Sequence, residues 1–286
     1  MFVLIISYYF SLQNCETFSK PATKILPFLQ KKVILASKSE FRMNFNYLHL
    51  AETDSTNAYL QREQAETDIR NWVVSTDRQT AGKGMGGNGW ESELGKNLTF
   101  SMALDMGFLP AERQFLLSEA VPLGIVEVLD TILPAEKLSI KWPNDIVFDG
   151  QKLAGILINS TIKANIMDIS IIGIGLNVNQ MQFQNWPTRP ISLKMITGKD
   201  YDLQSLLEQL AEHILIKVQQ LHSSPTTIEQ AYLKRLFRYR TWANYEIGGK
   251  VLRLLMTGID EFGRLLLIDE QQNAHCYEIR QIRFLL

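Results

Sequence analysis

The sequence predicts an α+β protein: a mixed β-sheet with flanking helices, followed by a small all-β unit closed as a barrel. Three observations carry this. Short strand-like runs alternate with longer stretches of helical periodicity from about residue 43 to about residue 240. A composition of 46% hydrophobic and 21% charged residues in 286 positions supports one large core and a smaller partner. After residue 240 the periodicity changes to strand and turn throughout.

Taken in order, "NFNYLHL" has strand composition, and "DSTNAYLQREQAE" offers Asp54 or Ser55 as an N-cap ahead of an amphipathic helix. "NWVVSTDRQT" reads as a buried strand leading into "AGKGMGGNGW", and "NLTFSMALDM" alternates as the next strand. Residues 111–133 form an apolar-periodic helix, bent or interrupted near Pro122 and Gly124. "LSIKWPNDIVFDGQKLAGILINS" is two strands joined at Asp149-Gly150, and "DISIIGIGLNVN" is a further buried strand. A stripe through Leu203, Leu206, Leu207, Leu210, Ile214, Val218 and Leu221 marks a long core-facing helix, and "TTIEQAYLKRLFRYR" a last one. The resulting units are an N-terminal extension, 1–42, a main domain, 43–239, and a C-terminal domain, 240–286. Residues 1–42 lack clear periodicity, and a start of translation at Met43 would leave them poorly ordered or unmade; intact mass decides this.

A net charge of −1 provides no global positive field for nucleic acid or an anionic bilayer. The apolar opening of about a dozen residues is too short to span a membrane and lacks a basic leader. Two cysteines, Cys15 and Cys276, suit a reducing compartment, so a cytoplasmic location is expected. His49, His213, His222 and His275 show neither ligand nor triad spacing.

The run "AGKGMGGNGW" places glycine at 82, 84, 86, 87 and 89. It satisfies G-x-G-x-x-G twice, but strand alternation follows where a dinucleotide fold needs a helix, and no Lys-Ser/Thr follows for a P-loop. A bare backbone whose amides make an anion-binding concavity, with Lys83 as its full positive charge, remains. A second constellation is "KWPNDIVFDGQKLAG". If Asp149-Gly150 is a two-residue turn, Val147 faces Lys152, and Asp145 and Lys152 become diagonal neighbours on one sheet face.

These segments and their order, "DSTN", "DRQTAGKG" followed by "GW", "NLTFSM", "KWPND", "KLAGIL", "GIGLNVN" and Ser192-Leu193, resemble the biotin protein ligases of the biotin/lipoate ligase superfamily, in the form without a DNA-binding domain. The resemblance implies an ATP-dependent enzyme that forms biotinyl-5′-AMP and transfers biotin to a lysine of a biotin carboxyl carrier protein, of acetyl-CoA carboxylase or a related carboxylase. It implies an SH3-like barrel at the C-terminus. Ser55, Thr56, Asn57 and Gln79 match positions at the biotin pocket, with Lys83, Gly84 and Met85 in the covering loop. Lys152 matches the lysine at the reacting carboxylate and, with Asp145, is the expected catalytic pair. Lys83, Lys141, Asn144 and Asn177 match positions beside the nucleotide; Mg2+ would accompany ATP, with no dedicated protein site. Trp90 and Trp142 either line the cavity or pack. Met85 and Gly86 stand where many relatives carry arginine, so either the adenylate is held less tightly or another residue compensates. Residues 1–42 are too short and irregular for a helix-turn-helix, so neither DNA nor a membrane is an expected partner, and the chain is a monomer or homodimer. The alternatives are a lipoate ligase or octanoyl transferase on the same scaffold, and a non-catalytic biotin-binding regulator.

Overall fold

The computed structural model describes residues 45–184 and 189–285, so the expectation about residues 1–42 lies outside the described residues. Strands Asn46–Thr53 (β1) and Trp72–Gln79 (β2) are joined by helix Thr56–Glu66 (α1), and the crossover makes them parallel neighbours. Leu98–Asp105 (β3) pairs antiparallel with β2 and precedes helix Phe115–Leu129 (α2). The "KWPND" stretch holds three strands where the sequence suggested two. Trp142-Pro143-Asn144 interrupts pairing and separates Leu138–Lys141 (β4) from Asp145–Phe148 (β5), before Gln151–Lys163 (β6) and Ile166–Leu176 (β7). The sheet order is β1-β2-β3-β7-β6-β5-β4, with β1–β2 its parallel pair.

Successive side chains of a strand point to opposite faces, and the sheet uses both. Val74, Ala103, Ile169 and Ile171 meet Leu60 of α1 on one face. Val73, Met102 and Ile172 face the larger core, covered by α2, Leu203–Ser223 (α4) and Pro225–Arg235 (α5); Leu193–Thr197 (α3) is a single short turn. The predicted stripe of α4 is buried at Leu206, Leu207, Leu210, Ile214, Val218 and Leu221, and Asp202 caps the helix by accepting from Ser205 N–H at 2.8 Å.

Helix α2 runs through Pro122 without interruption. Gly124 serves a different need: a Cβ there would stand 2.6 Å from Ile214 Cα and 2.7 Å from its nitrogen, so the glycine lets α4 lie against α2. Gly124→Ala gains about 1 kcal/mol of helix propensity but meets backbone that cannot rotate away. We expect net destabilisation of about 1–3 kcal/mol, read as a lower urea midpoint at unchanged slope.

The C-terminal unit corrects the expected barrel. Trp242–Ile247 (β8), Lys250–Ile259 (β9), Leu265–Ile268 (β10), Ala274–Tyr277 (β11) and Ile282–Phe284 (β12) form an open five-stranded sheet, ordered β11-β10-β9-β8-β12. Closure requires the two edges to hydrogen-bond to each other. Here β11 has four residues and β12 three, and β12 pairs on its other side with β8, through Ile282↔Ile247 and Phe284↔Tyr245. The sheet stays open because its last strand adds beside β8 instead of returning to β11; the SH3-like barrel is not formed.

Candidate functional site

Strand β7 carries the site's floor in its alternation. Ile169 and Ile171 lie beneath α1; the next two residues on the same face are Gly173 and Gly175, and on β6 Gly155 pairs with Gly175. These glycines clear the sheet under the first turn of α1 and beyond it. A Cβ on Gly173 would fall 2.3 Å from Asn57 Oδ1, and one on Gly175 2.2 Å from the Trp90 ring, so polar and aromatic groups lie directly on backbone. Above the floor opens a cleft of about 1170 Å³, more than the roughly 300–1,000 Å³ usual for a single small ligand.

One end of the cleft is polar and prebuilt. Ser55, Thr56 and Asn57 at the start of α1 are buried. Ser55 holds the N-cap position but its hydroxyl makes no capping bond, so it remains available to a ligand; Asp54 accepts from Ser55 N–H at 2.9 Å instead. The first helical N–H, of Thr56, donates to Gln79 Oε1 at 2.9 Å, so the side chain from β2 does the capping. Thr56 and Ser101 share a hydroxyl contact at 2.6 Å, Ser101 also donates to Asn57 Oδ1, and Asn57 Nδ2 donates to Leu157 O and Asn159 Oδ1, each at 3.1 Å. Ser101, Asn159 and the glycine floor went unnoticed in the sequence. Gly173→Ala drives a methyl into the Asn57 amide, and we expect at least about tenfold weaker binding of biotin, the ligand expected at this polar end, with little loss of ATP affinity, measured by calorimetry.

The glycine run folds back on itself as a small hairpin. Gly84 N–H donates to Asn88 O at 2.7 Å, Trp90 N–H to Gly82 O at 3.0 Å, and the tip turns at Met85–Gly87, with Gly86 and Gly87 at φ of 77° and 88°. Gly82 is a close-approach position, its absent Cβ 2.7 Å from Trp90 O. Lys83, Gly84 and Met85 line the cleft.

Opposite the loop stand the cations. The pairing Val147↔Lys152 and Phe148↔Gln151 is the predicted two-residue hairpin, Asp149 and Gly150 both taking positive φ. A bulge beyond Ile146 then sets Asp145 opposite Gly155, and Lys152 Nζ reaches Asp145 Oδ1 at 2.7 Å in an ion pair that is mostly buried. The same ammonium lies 5.8 Å from the Trp90 ring centre. Burial pushes the Lys141 ammonium below its ordinary range, Asp145 opposes this, and Lys152 and Arg238 reinforce it. An anion arriving beside Lys141 would relieve the mutual repulsion of these cations. Asn144 is tied to β6 in both directions, donating Nδ2–H to Ile156 O at 2.8 Å and accepting Ile156 N–H at 2.9 Å.

Asn177 is placed differently from the others. It is buried behind the cleft and donates to Lys152 O at 3.3 Å and Ile191 O at 3.2 Å, so it fixes the backbone that carries Lys152. The remaining wall comes from the C-terminal sheet, where Ile279, Arg280, Arg283 and Phe284 face the glycine loop and Lys141. Among the described residues no group of three or more His, Cys, Asp or Glu is placed to hold a metal ion, and no helix is long and apolar enough to cross a membrane.

A mixed seven-stranded sheet with this loop-covered cationic cleft defines a class: the chain belongs to the biotin/lipoate A/B protein ligase family, whose model matches residues 50–177. Within the family it resembles the biotin protein ligases. The biotin–[acetyl-CoA-carboxylase] ligase of Paracoccus denitrificans is 30% identical over 224 residues, 76% of this chain and 92% of that one. The bifunctional ligase/repressor BirA of Salmonella typhimurium is 31% identical over 230 residues, 78% of this chain and 69% of that relative. The biotin protein ligase of Aquifex aeolicus, solved in complex with biotin and ATP, superposes with a TM-score of 0.68 at 26% identity, covering 84% of this chain and 99% of that one.

Proposed function

We infer that this chain is an ATP-dependent biotin protein ligase that forms biotinyl-5′-AMP and passes the biotinyl group to a lysine of a biotin carboxyl carrier domain. The observation that carries the reading is the meeting, in one cleft, of a buried neutral polar end and a mostly buried lysine under a glycine loop. Ser55, Asn57 and Gln79 suit a ureido ring, which has donors and acceptors to satisfy; an octanoyl or lipoyl tail has none at its far end. This favours biotin over lipoate, and a retained Lys152–Asp145 pair favours an enzyme over a passive regulator.

In the first step a biotin carboxylate oxygen bonds to the α-phosphorus of ATP, and the bond to the bridging oxygen breaks as pyrophosphate leaves. Two anions must meet for this. Lys152, aimed by Asp145 and by the Asn177 clamp on its backbone, offsets their repulsion and stabilises the charge that builds between them. Lys141, Asn144 and Lys83 are the groups for the nucleotide, which brings its own Mg2+. In the second step the carrier lysine's amine bonds to the acyl carbon, the carbon–oxygen bond to AMP breaks, and the amine releases its proton. The glycine hairpin excludes water between the steps.

Incubation with labelled biotin, MgATP and a carrier domain is expected to leave label covalently on the carrier's lysine. ATP-dependent labelling with octanoate or lipoate but not biotin would reassign the substrate, and absence of pyrophosphate release would leave a binding protein.

A further inference from the structure

The glycine hairpin covers the position of the phosphate with little charge of its own: Lys83 is its full cation, and Gly86 at its tip has no side chain. The space beside Gly86 is nevertheless occupied. Arg280, from the turn between β11 and β12, lays its guanidinium there, with Nε and Nη2 both 3.7 Å from the point where a Gly86 Cβ would stand. We propose that Arg280 is the phosphate-binding cation of the closed loop, supplied across the cleft by the C-terminal sheet in place of an arginine on the loop itself.

Three features point the same way. Arg280 lines the cleft, and among the described residues no carboxylate pairs with it, whereas its neighbour Arg283 is engaged by Glu246. Its backbone is held at φ 78°, a conformation in which glycine is comfortable and arginine is not. That conformation is locked by its turn, in which Gln281 N–H donates to Glu278 O at 3.1 Å and Glu278 N–H donates to Gln281 Oε1 at 2.8 Å. A costly backbone thus presents a long cation to the loop tip. A guanidinium also offers a planar fork that two phosphate oxygens can accept from together, which a lysine cannot reproduce.

The proposal rests on the reading of this cleft as adenylate-forming, and its test separates the two. Arg280→Gly removes the cation while relaxing the backbone, so the variant should fold at least as well as the native protein. With biotinyl-AMP formed from biotin and MgATP in the full chain, we expect its release, followed by intrinsic fluorescence during a chase with excess biotin, to be about tenfold to a hundredfold faster. Biotin affinity without ATP and the thermal midpoint should not fall. Arg280→Lys should recover only part of the retention, and Met85→Arg added to Arg280→Gly should restore slow release. Native-like release from Arg280→Gly, or faster release accompanied by lost biotin affinity and a lowered midpoint, overturns the role of Arg280 alone. A native protein that releases no pyrophosphate with biotin and ATP sinks the parent reading and this one with it.

Discussion

Lys152→Met lowers the rate of pyrophosphate release, at saturating biotin and MgATP, by about a hundredfold to a thousandfold, the loss typical of one preorganised charge at a reacting centre. The geometry makes this more than loss of a contact. Lys152 and Asp145 sit 2.7 Å apart with most of both side chains out of water, so removing the ammonium deprives a mostly buried carboxylate of its ion-pair partner and leaves it only the charge of Lys141 nearby. Lys152→Met alone should therefore also lower stability, and adding Asp145→Asn should return stability without returning rate. Lys152→Arg is not a remedy, because the aliphatic stem already runs within 3.3 Å of where a Gly155 Cβ would stand, beside the Trp90 ring, and the larger head has nowhere to lie. A Lys152→Met enzyme that retains a third or more of the native rate would remove Lys152 from the chemistry.

The second large effect concerns stability far from the cleft. Glu119 of α2 is buried, its Oε2 has no hydrogen-bond partner, and the hydroxyl of Tyr232 nearby has none either. Burial pushes the Glu119 carboxyl up to about 8, the Glu229 charge adds to the rise, and Arg113 opposes it. The folded protein thus keeps a proton there that the unfolded chain loses near pH 4.5. Its contribution is fully present below pH 4.5, falls by about 1.4 kcal/mol per pH unit above it, and is lost once pH passes about 8. Over that window the native protein should lose roughly 3–5 kcal/mol relative to Glu119→Gln, which has no proton to give up. Urea unfolding of both proteins at pH 5, 7 and 9 measures the difference; parallel pH profiles would refute it.

Much of the site was legible because its signals are local. The Asp149-Gly150 turn fixes which residue faces Lys152, and side-chain alternation then brings Asp145 near it. The same alternation could not foresee the bulge beyond Ile146, which depends on how β5 settles against β6. "DSTN" announces a helix start, but the partner that caps Thr56 is Gln79, 23 residues away, and Ser101 joins through sheet pairing. Gly155, Gly173 and Gly175 carried a signal that was missed: alternate glycines in otherwise apolar strands mark close approach. The barrel failed for the opposite reason. Strand periodicity describes each strand's two faces and contains nothing about whether the first and last edges meet. Arg280 is the extreme case, since nothing in "YEIRQIRF" relates it to a glycine almost two hundred residues earlier.

Trp142, within the "KWPND" turn, donates its indole N–H to Gly263 O at 2.9 Å, and Gly263, at φ 86°, lacks the Cβ that would collide with the Phe115 ring. The turn between β9 and β10 is thereby riveted both to the strand break beside Lys141 and to the start of α2. The small sheet is for this reason a structural wall and not an appendage that can be trimmed away. Shearing it off would open the Lys141 side of the cleft to solvent and strip an indole of its acceptor in the same stroke.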